Sequence, residues 1–387
     1  MKILVVLSRF PYPLTKGDKL RAFNQIKHLA VGNEIYLFCL SKSEVPVANI
    51  ELMRQYCKEV CVVPLSNISV LCSVLKAYMQ GKPLQVGYYF NGRAKKVYDK
   101  FVDECKPDRI YCQLLRMYEY VKDSFVDVTL DLQDAFSVST KRRAGVSAWY
   151  LRMILDWEAD ALRRYEDYVI ERCPKCTIIS DADRSKLHSE KHDRVAVIPN
   201  GVDFSYFAPH PEIEKKYDVV FVGRMSYPPN INAVVYLLKE VMPLVWRERS
   251  SCNVLIAGAQ PPLAITSLAS ANVHIESGLD RIWTAYASAR IMVAPMQIGA
   301  GLQNKLLEAM AMKLPCITSD IANAALGAEV GSAIIVAEHP MDYANAILRL
   351  LDNANESDTI GEMGYQYVTE NFGWERHTLA LADIIGR

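Results

Sequence analysis

The feature that most narrows the possible fold is a strand-then-helix rhythm that runs twice along the chain, with a break between. In the first run, short apolar segments at Ile3–Leu7, Glu34–Cys39, Glu59–Pro64, Arg109–Cys112, Val126–Asp131, Cys176–Ile179 and Arg194–Ile198 alternate with amphipathic stretches such as Lys19–Ala30 and Arg93–Glu104. Such alternation specifies parallel strands with helices on both faces of the sheet. A longer stretch, Ser147–Arg172, rich in charge and aromatics, reads as a helix on the outside of this first domain. The segment Pro199–Asp218 then carries Pro199, Gly201, Pro209 and Pro211 and reads as a linker. The rhythm resumes with strands expected at Val219–Val222, Asn253–Ala257, Val273–Ile275, Ile291–Ala294, Cys316–Thr318 and Ala333–Val336. Helices are expected at Asn232–Glu248, Leu302–Met312, Met341–Asn353, Glu356–Glu370 and Trp374–Ile385. The 387 residues exceed the ~250–300 that one core organises. Two doubly wound α/β domains follow: 1–205, joined by the C-terminal helix 373–387, and 206–372. Facing each other, they leave an interdomain cleft at the carboxyl ends of both sheets, where ligands bind in open α/β folds.

Charge gives one broad class no global support and leaves only a local basic patch open to it. Lys+Arg and Asp+Glu both number 44, so no global basic field points to nucleic acid. The apolar run Ile3–Leu7 is too short for a signal-peptide core or a membrane span and reads as a buried strand. Ten cysteines without a framework pattern suggest reduced thiols. The expectation is a cytoplasmic protein.

Three windows have the local form of a phosphate site. In Ala294–Asp320 a strand ends near Pro295, a loop with Gly299 and Gly301 follows, and a helix opens at about Leu302. Glycines let a backbone approach closely, and free N–H groups at a helix start favour an anion. Helical spacing puts Gly301, Lys305 and Glu308 on one face and Gln303, Leu306, Leu307 and Met310 on the core side. Lys305 opposes the dipole at a helix start, a conflict that a bound phosphate removes. Glu308, one turn on, is placed to accept from a ribose diol. An ordinary solvated Lys–Glu pair is the plain alternative. In Val219–Asn232, Arg224 sits at a strand's carboxyl end, suited to bidentate phosphate contact or to a structural role at the domain edge. In Arg9–Arg21, Gly17 joins the first strand to the first helix and can bring backbone amides to a phosphate; a surface loop is the alternative.

Together these windows resemble the retaining glycosyltransferases of family 4, with the GT-B fold. The residues that carry the resemblance are Gly223-Arg224, PNGVD at Pro199–Asp203 and LEAMAMKLPCI at Leu307–Ile317. The opening Pro11–Arg21 and the helix Gly301–Met312 are most similar to sugar transferases associated with exosortase and exopolysaccharide gene systems. The resemblance covers essentially the whole chain. It implies transfer of a sugar from a nucleoside diphosphate-sugar to a hydroxyl on a glycan or lipid-linked acceptor, with the anomeric configuration retained. It implies phosphate contacts by Arg224 and ribose binding by Glu308. Donor binding is assigned to Gly17, Arg224, Gly299, Gly301, Leu302, Lys305 and Glu308, and catalysis to Arg224, Lys305 and Asp134. The chain departs from the family's pattern in three places. The first glutamate of the acidic motif would fall at Ala300. Pro228-Pro229-Asn230 occupies the turn where the family's second phosphate-binding cation stands, which leaves Lys305 to supply that charge. Gln133 replaces the histidine of a His-Asp pair and puts the catalytic part of Asp134 in doubt.

No DxD-like acidic cluster stands in the nucleotide half, so no metal is expected, and cationic side chains with helix termini would stabilise the leaving diphosphate. Cys173, Cys176, His188 and His192 nearly match a zinc finger but lack its core aromatic. In Lys141–Arg164, Lys141, Arg142, Arg143, Arg152, Arg163 and Arg164 accompany Trp149, Tyr150 and Trp157. The plain reading is a solvated helix whose aromatics pack inward. The functional one is peripheral contact with the inner face of a membrane, which would serve a lipid-linked acceptor. Two rivals to the transferase reading remain: a nucleotide-sugar epimerase on the same fold, and a catalytically inactive nucleotide-binding assembly subunit.

Overall fold

The computed structural model describes residues 1–14, 16–145, 147–298 and 301–387. It divides into two compact units, Met1–Pro199 with Trp374–Arg387, and Asn200–Gly373.

The first unit is built on a seven-stranded parallel sheet. Its strands are β1 (Lys2–Leu7), β2 (Glu34–Ser41), β3 (Glu59–Pro64), β4 (Arg109–Gln113), β5 (Val128–Gln133), β6 (Lys175–Ile178) and β7 (Ala196–Val197), in the order β3-β2-β1-β4-β5-β6-β7. Strand order reverses between β1 and β4, the switch point at which doubly wound sheets bind ligands. Ile3, Val5 and Leu7 face one layer of helices and Leu4 and Val6 the other, so β1 is an apolar run buried on both sides. The helix Trp374–Gly386 inserts Leu381 and Ile385 beside Ile3, Val5 and Leu7. A buried ion pair ties helix to sheet: the Arg21 guanidinium donates to Asp131 at 2.7 and 3.0 Å, and the Thr177 hydroxyl donates to the same carboxylate at 2.8 Å.

The second unit has a six-stranded parallel sheet of β8 (Tyr217–Val222), β9 (Val254–Ala257), β10 (Val273–Glu276), β11 (Ala289–Ala294), β12 (Cys316–Thr318) and β13 (Ile335–Val336), ordered β10-β9-β8-β11-β12-β13. Its switch point lies between β8 and β11, so the loops after those two strands, Gly223–Tyr227 and the segment from Pro295, leave the sheet side by side.

Four expectations are corrected. The helix expected over Asn232–Glu248 starts at Pro228, because prolines fit the first helical turn where no N–H is needed, and it contains a π-helical stretch, Leu237–Val241. The helix expected from Leu302 begins at Asn304. The strand expected over Arg194–Ile198 shortens to Ala196–Val197 because His192–Arg194 closes a 3₁₀ turn. The outer helix runs over Trp149–Arg172 and is preceded by a helix, Phe136–Gly145, that packs on it. Helix Asn67–Met79 was also unforeseen: its apolar residues lie all round, so no periodic stripe marks it.

Candidate functional site

The site in the second unit is assembled from the loops at its switch point. After β8 the backbone of Gly223 crosses Gly258, the residue after β9. A Cβ on Gly258 would lie 1.8 Å from the Gly223 carbonyl oxygen, and Gly258 holds φ at +149°. Only glycine permits both the approach and the dihedral. The crossing is fixed by backbone bonds from Gly223 N–H to Ala257 O at 3.0 Å and from Met225 N–H to Ala259 O at 2.9 Å.

This crossing delivers Arg224 to the surface. Its Nε donates to Ser226 Oγ at 2.8 Å and its Nη2 to Gln260 Oε1 at 3.1 Å. Nη1 has no protein partner among the described residues. The guanidinium is thus exposed and pre-oriented by neutral acceptors, the state from which it can still engage an anion.

Lys305 lies differently from the expectation. Spacing put it on the outer face of its helix with Glu308, but its side chain turns inward and is 8% exposed. The ammonium stands 4.6 Å from the centroid of the Phe221 ring and 3.6 Å from the Met296 sulfur, and it donates to Asn230 Oδ1 at 2.5 Å. The helix starts two residues later than expected, and Lys305 is its second residue, directed toward β8. Asn230 joins the two cations: its Nδ2 donates to the Arg224 carbonyl at 2.9 Å while its Oδ1 receives Lys305. Among the described residues no carboxylate makes an ion pair with Lys305. Burial pushes its pKa down to about 7, partly opposed by the charge of Glu308.

Glu308, one turn further along, accepts from the buried Tyr286 hydroxyl at 2.7 Å through Oε2; Oε1 takes no hydrogen bond from the described residues. Burial raises its pKa, against the Tyr286 hydrogen bond and the charge of Lys305. Gly301 and Leu302 precede the helix, and Gln303 at its N-cap donates to the Gly301 carbonyl at 2.8 Å without capping the helix. The helix start therefore keeps backbone N–H groups available to an acceptor. Gly299, and Ala300 beside it, lie outside the described residues.

The structure thus brings together Arg224, Lys305 and, one turn on, Glu308. Asn230, Gln260, Tyr286 and Gly258 were missed. Asn230 was hidden by the late placement of its helix; an asparagine directly after two prolines at a strand-to-helix turn was the available signal.

Two candidates lie in the first unit. Gly17 opens the helix Gly17–Leu29, with open space where a Cβ would stand. Its neighbour Asp18 accepts from Arg9 at 2.8 Å and lies 3.5 Å from Arg116. Asp134 follows β5, where burial first, and the charge of Asp183 next, push its pKa up to about 6. Beside it Gln133 holds φ at +66°, and its buried Nε2 has no partner among the described residues. A left-handed non-glycine residue with an orphaned amide marks a strained position. The near zinc motif does not assemble. Cys173 and Cys176 donate to Val128, Lys175 and Cys173 carbonyl oxygens, while His188 lies beside Asp167. Among the described residues no three His, Cys, Asp or Glu side chains gather as a metal site. All ten cysteines are unpaired.

Residues 216–353 match the glycosyl transferases group 1 family. Over 96% of both chains the protein is 22% identical to an uncharacterized 44.6 kDa protein in the cps region of Klebsiella pneumoniae. Among solved structures it is similar to sucrose-phosphate synthase from Thermosynechococcus elongatus, with a TM-score of 0.72 at 13% identity over 99% of this chain and 98% of that one. It is similar also to HepE from Anabaena in complex with UDP-glucose, with a TM-score of 0.70 at 15% identity over 99% of each chain. The fold is GT-B, and the second unit carries a glycosyltransferase domain.

Proposed function

We propose that the protein transfers a sugar from a nucleoside diphosphate-sugar to a hydroxyl of a glycan or lipid-linked acceptor, with the anomeric configuration retained, as a family 4 enzyme of polysaccharide or glycoconjugate assembly. The carrying observation is Lys305: a buried ammonium without a carboxylate ion pair among the described residues, joined through Asn230 to the loop of Arg224, at a helix start with uncapped N–H groups. Burying a cation is unfavourable unless an anion meets it. A diphosphate supplies that anion. The bond from the anomeric carbon to the diphosphate breaks, a bond to the acceptor oxygen forms, and the hydroxyl proton is released. Negative charge grows on the leaving diphosphate, where Arg224, Lys305 and the helix amides stabilise it. These groups do the work without a metal ion in this reading. Glu308 Oε1 is left to accept from the ribose. The structural neighbour in complex with UDP-glucose supports a donor of this class, and the relative in a cps region supports assembly of a polysaccharide.

The decisive measurement is a thermal-shift screen with UDP-, GDP-, ADP- and dTDP-sugars, followed by turnover of the stabilising donor in excess chelator. One donor should raise the melting temperature and then be consumed by transfer or slow hydrolysis. Epimerised free donor as the product would support the epimerase instead, and donor binding without turnover would support an inactive subunit.

A further inference from the structure

Two helices of the first unit expose what an ordinary surface hides. Helix Asn67–Met79 presents Ile68, Leu71, Leu75, Tyr78 and Met79 outward, with Ile68 80% and Leu71 71% exposed, and buries only Ala77. Its single charge is Lys76. The start of helix Trp149–Arg172 likewise exposes Trp149 (77%), Tyr150, Met153 (69%) and Ile154. The inward packing expected for these aromatics holds only for Trp157.

That exception joins the two surfaces. The Trp157 ring stands 4.9 Å from the Tyr78 ring, and Glu158 accepts from the Leu84 and Gln85 N–H groups that follow the first helix. Residues three, four and seven positions before Trp157 share its helix face. Those residues are Ile154, Met153 and Tyr150, so the exposed apolar side chains of both helices border one another. A cationic flank adjoins them. Lys141, Arg142 and Arg143 end helix Phe136–Gly145, and Lys141 reaches Asp156 at 2.8 Å, which sets this run beside the apolar start of the next helix. With Arg152, four cations stand against one carboxylate, Asp156, between positions 136 and 156.

We propose that this face docks on an anionic lipid bilayer. Exposed apolar area of this extent marks an interaction site. A protein interface of ordinary kind depletes lysine at its core, whereas a surface-lying membrane element pairs Trp, Leu and other apolar residues with flanking Lys and Arg. No helix among the described residues is long and apolar enough to cross a membrane, so the contact is peripheral. The charge complement is a leaflet rich in anionic headgroups.

The test uses the full chain sedimented with vesicles of mixed phosphatidylcholine and phosphatidylglycerol, and with vesicles of phosphatidylcholine alone. Binding should appear on the anionic vesicles, weaken with salt, and shift Trp emission to the blue in the wild type but much less in Trp149→Ser. Replacing Lys141, Arg142 and Arg143 by Gln together should weaken binding on the order of 100-fold, from the known gain per cation near such a surface. Leu71→Asn with Leu75→Asn should weaken it at least about tenfold, since each loses apolar area that would enter the interface. These side chains are exposed, so melting temperature and the thermal response to nucleotide in solution should stay unchanged, which keeps this result separate from that of the donor site. Equal binding to both vesicle types, or binding indifferent to these substitutions, overturns the proposal. So does a lipid-free dimer that the Leu71/Leu75 variant dissociates while the wild type ignores vesicles, because the face would then cover a second copy.

Discussion

A buried ammonium held against an aromatic ring and a neutral amide gives up its proton more readily than one in water, and this gives Lys305 a pH signature. Its pKa is pushed down to about 7 in the folded chain, so between there and the ordinary lysine range the unfolded chain binds the extra proton. Stability therefore rises as pH increases through that window, and the contribution is absent below it, where both states are protonated. Diphosphate binding has the opposite trend. The anion needs the charged lysine, so affinity should fall as pH rises from 7.5 to 9, by at most about tenfold per unit. Lys305→Met should flatten the calorimetric pH profile of UDP or GDP binding. A profile still sloping in that variant would remove Lys305 from the phosphate site. Arg224→Ala should weaken nucleoside diphosphate binding by roughly 1–3 kcal/mol, with little effect on the parent nucleoside; equal losses for both ligands would indicate misfolding instead. Glu308→Gln should cost a ribonucleotide more than its 2′-deoxy counterpart, because the deoxy sugar has already lost one of the hydroxyls that would donate to the carboxylate. Equal losses in calorimetry would defeat the ribose assignment.

At the scale of elements, the two glycines that cross after β8 and β9 decide where Arg224 stands. Gly258→Ala puts a methyl group into the Gly223 carbonyl and forces a strained dihedral, so it should destabilise the second unit by at least ~2 kcal/mol. Nucleotide binding should be lost in proportion, measured by melting temperature and calorimetry together; an unaltered melting point would mean that the loops part freely. The same crossing shows what a sequence can and cannot disclose. β8 and the glycine after it were legible because a run of buried β-branched residues ending in Gly-Arg is a local signal. Gly258 was not, since its partner is a backbone atom thirty-five positions away. Lys305 was legible as a candidate from its place at a helix start, but its inward direction depended on a helix boundary two residues off. Helix Asn67–Met79 escaped because hydrophobic periodicity identifies a helix with one buried face, and this one exposes its apolar residues.

Across the whole molecule, the chain leaves its first unit at Pro199 and returns to it at Trp374, so the last helix serves a core assembled from residues far earlier. Leu381 and Ile385 are fully buried among Ile3, Val5, Leu7 and Ile26. Arg109 on β4 donates to the carbonyls of Ile385 and Gly386 at 3.0 and 3.3 Å, which binds the helix end to the sheet. Two such side chains contribute about 1.5–3 kcal/mol each, against the ~5–15 kcal/mol that holds an ordinary domain together. The second unit has its own core around Val219–Val222, Ile291–Val293 and Leu306–Leu307, to which these residues do not belong. Removing 374–387 should therefore unfold or loosen the first unit while the second keeps its core. Limited proteolysis should clear fragments from 1–199 and spare a nucleotide-protected fragment within 200–373, because a ligand that binds only the folded state adds RT ln(1 + [L]/Kd) to it. Leu381→Ala is the milder version, expected to cost about 2–4 kcal/mol through the cavity it leaves, again with the nucleotide response intact. Loss of nucleotide protection in both variants would show instead that the second unit cannot hold its site without the first.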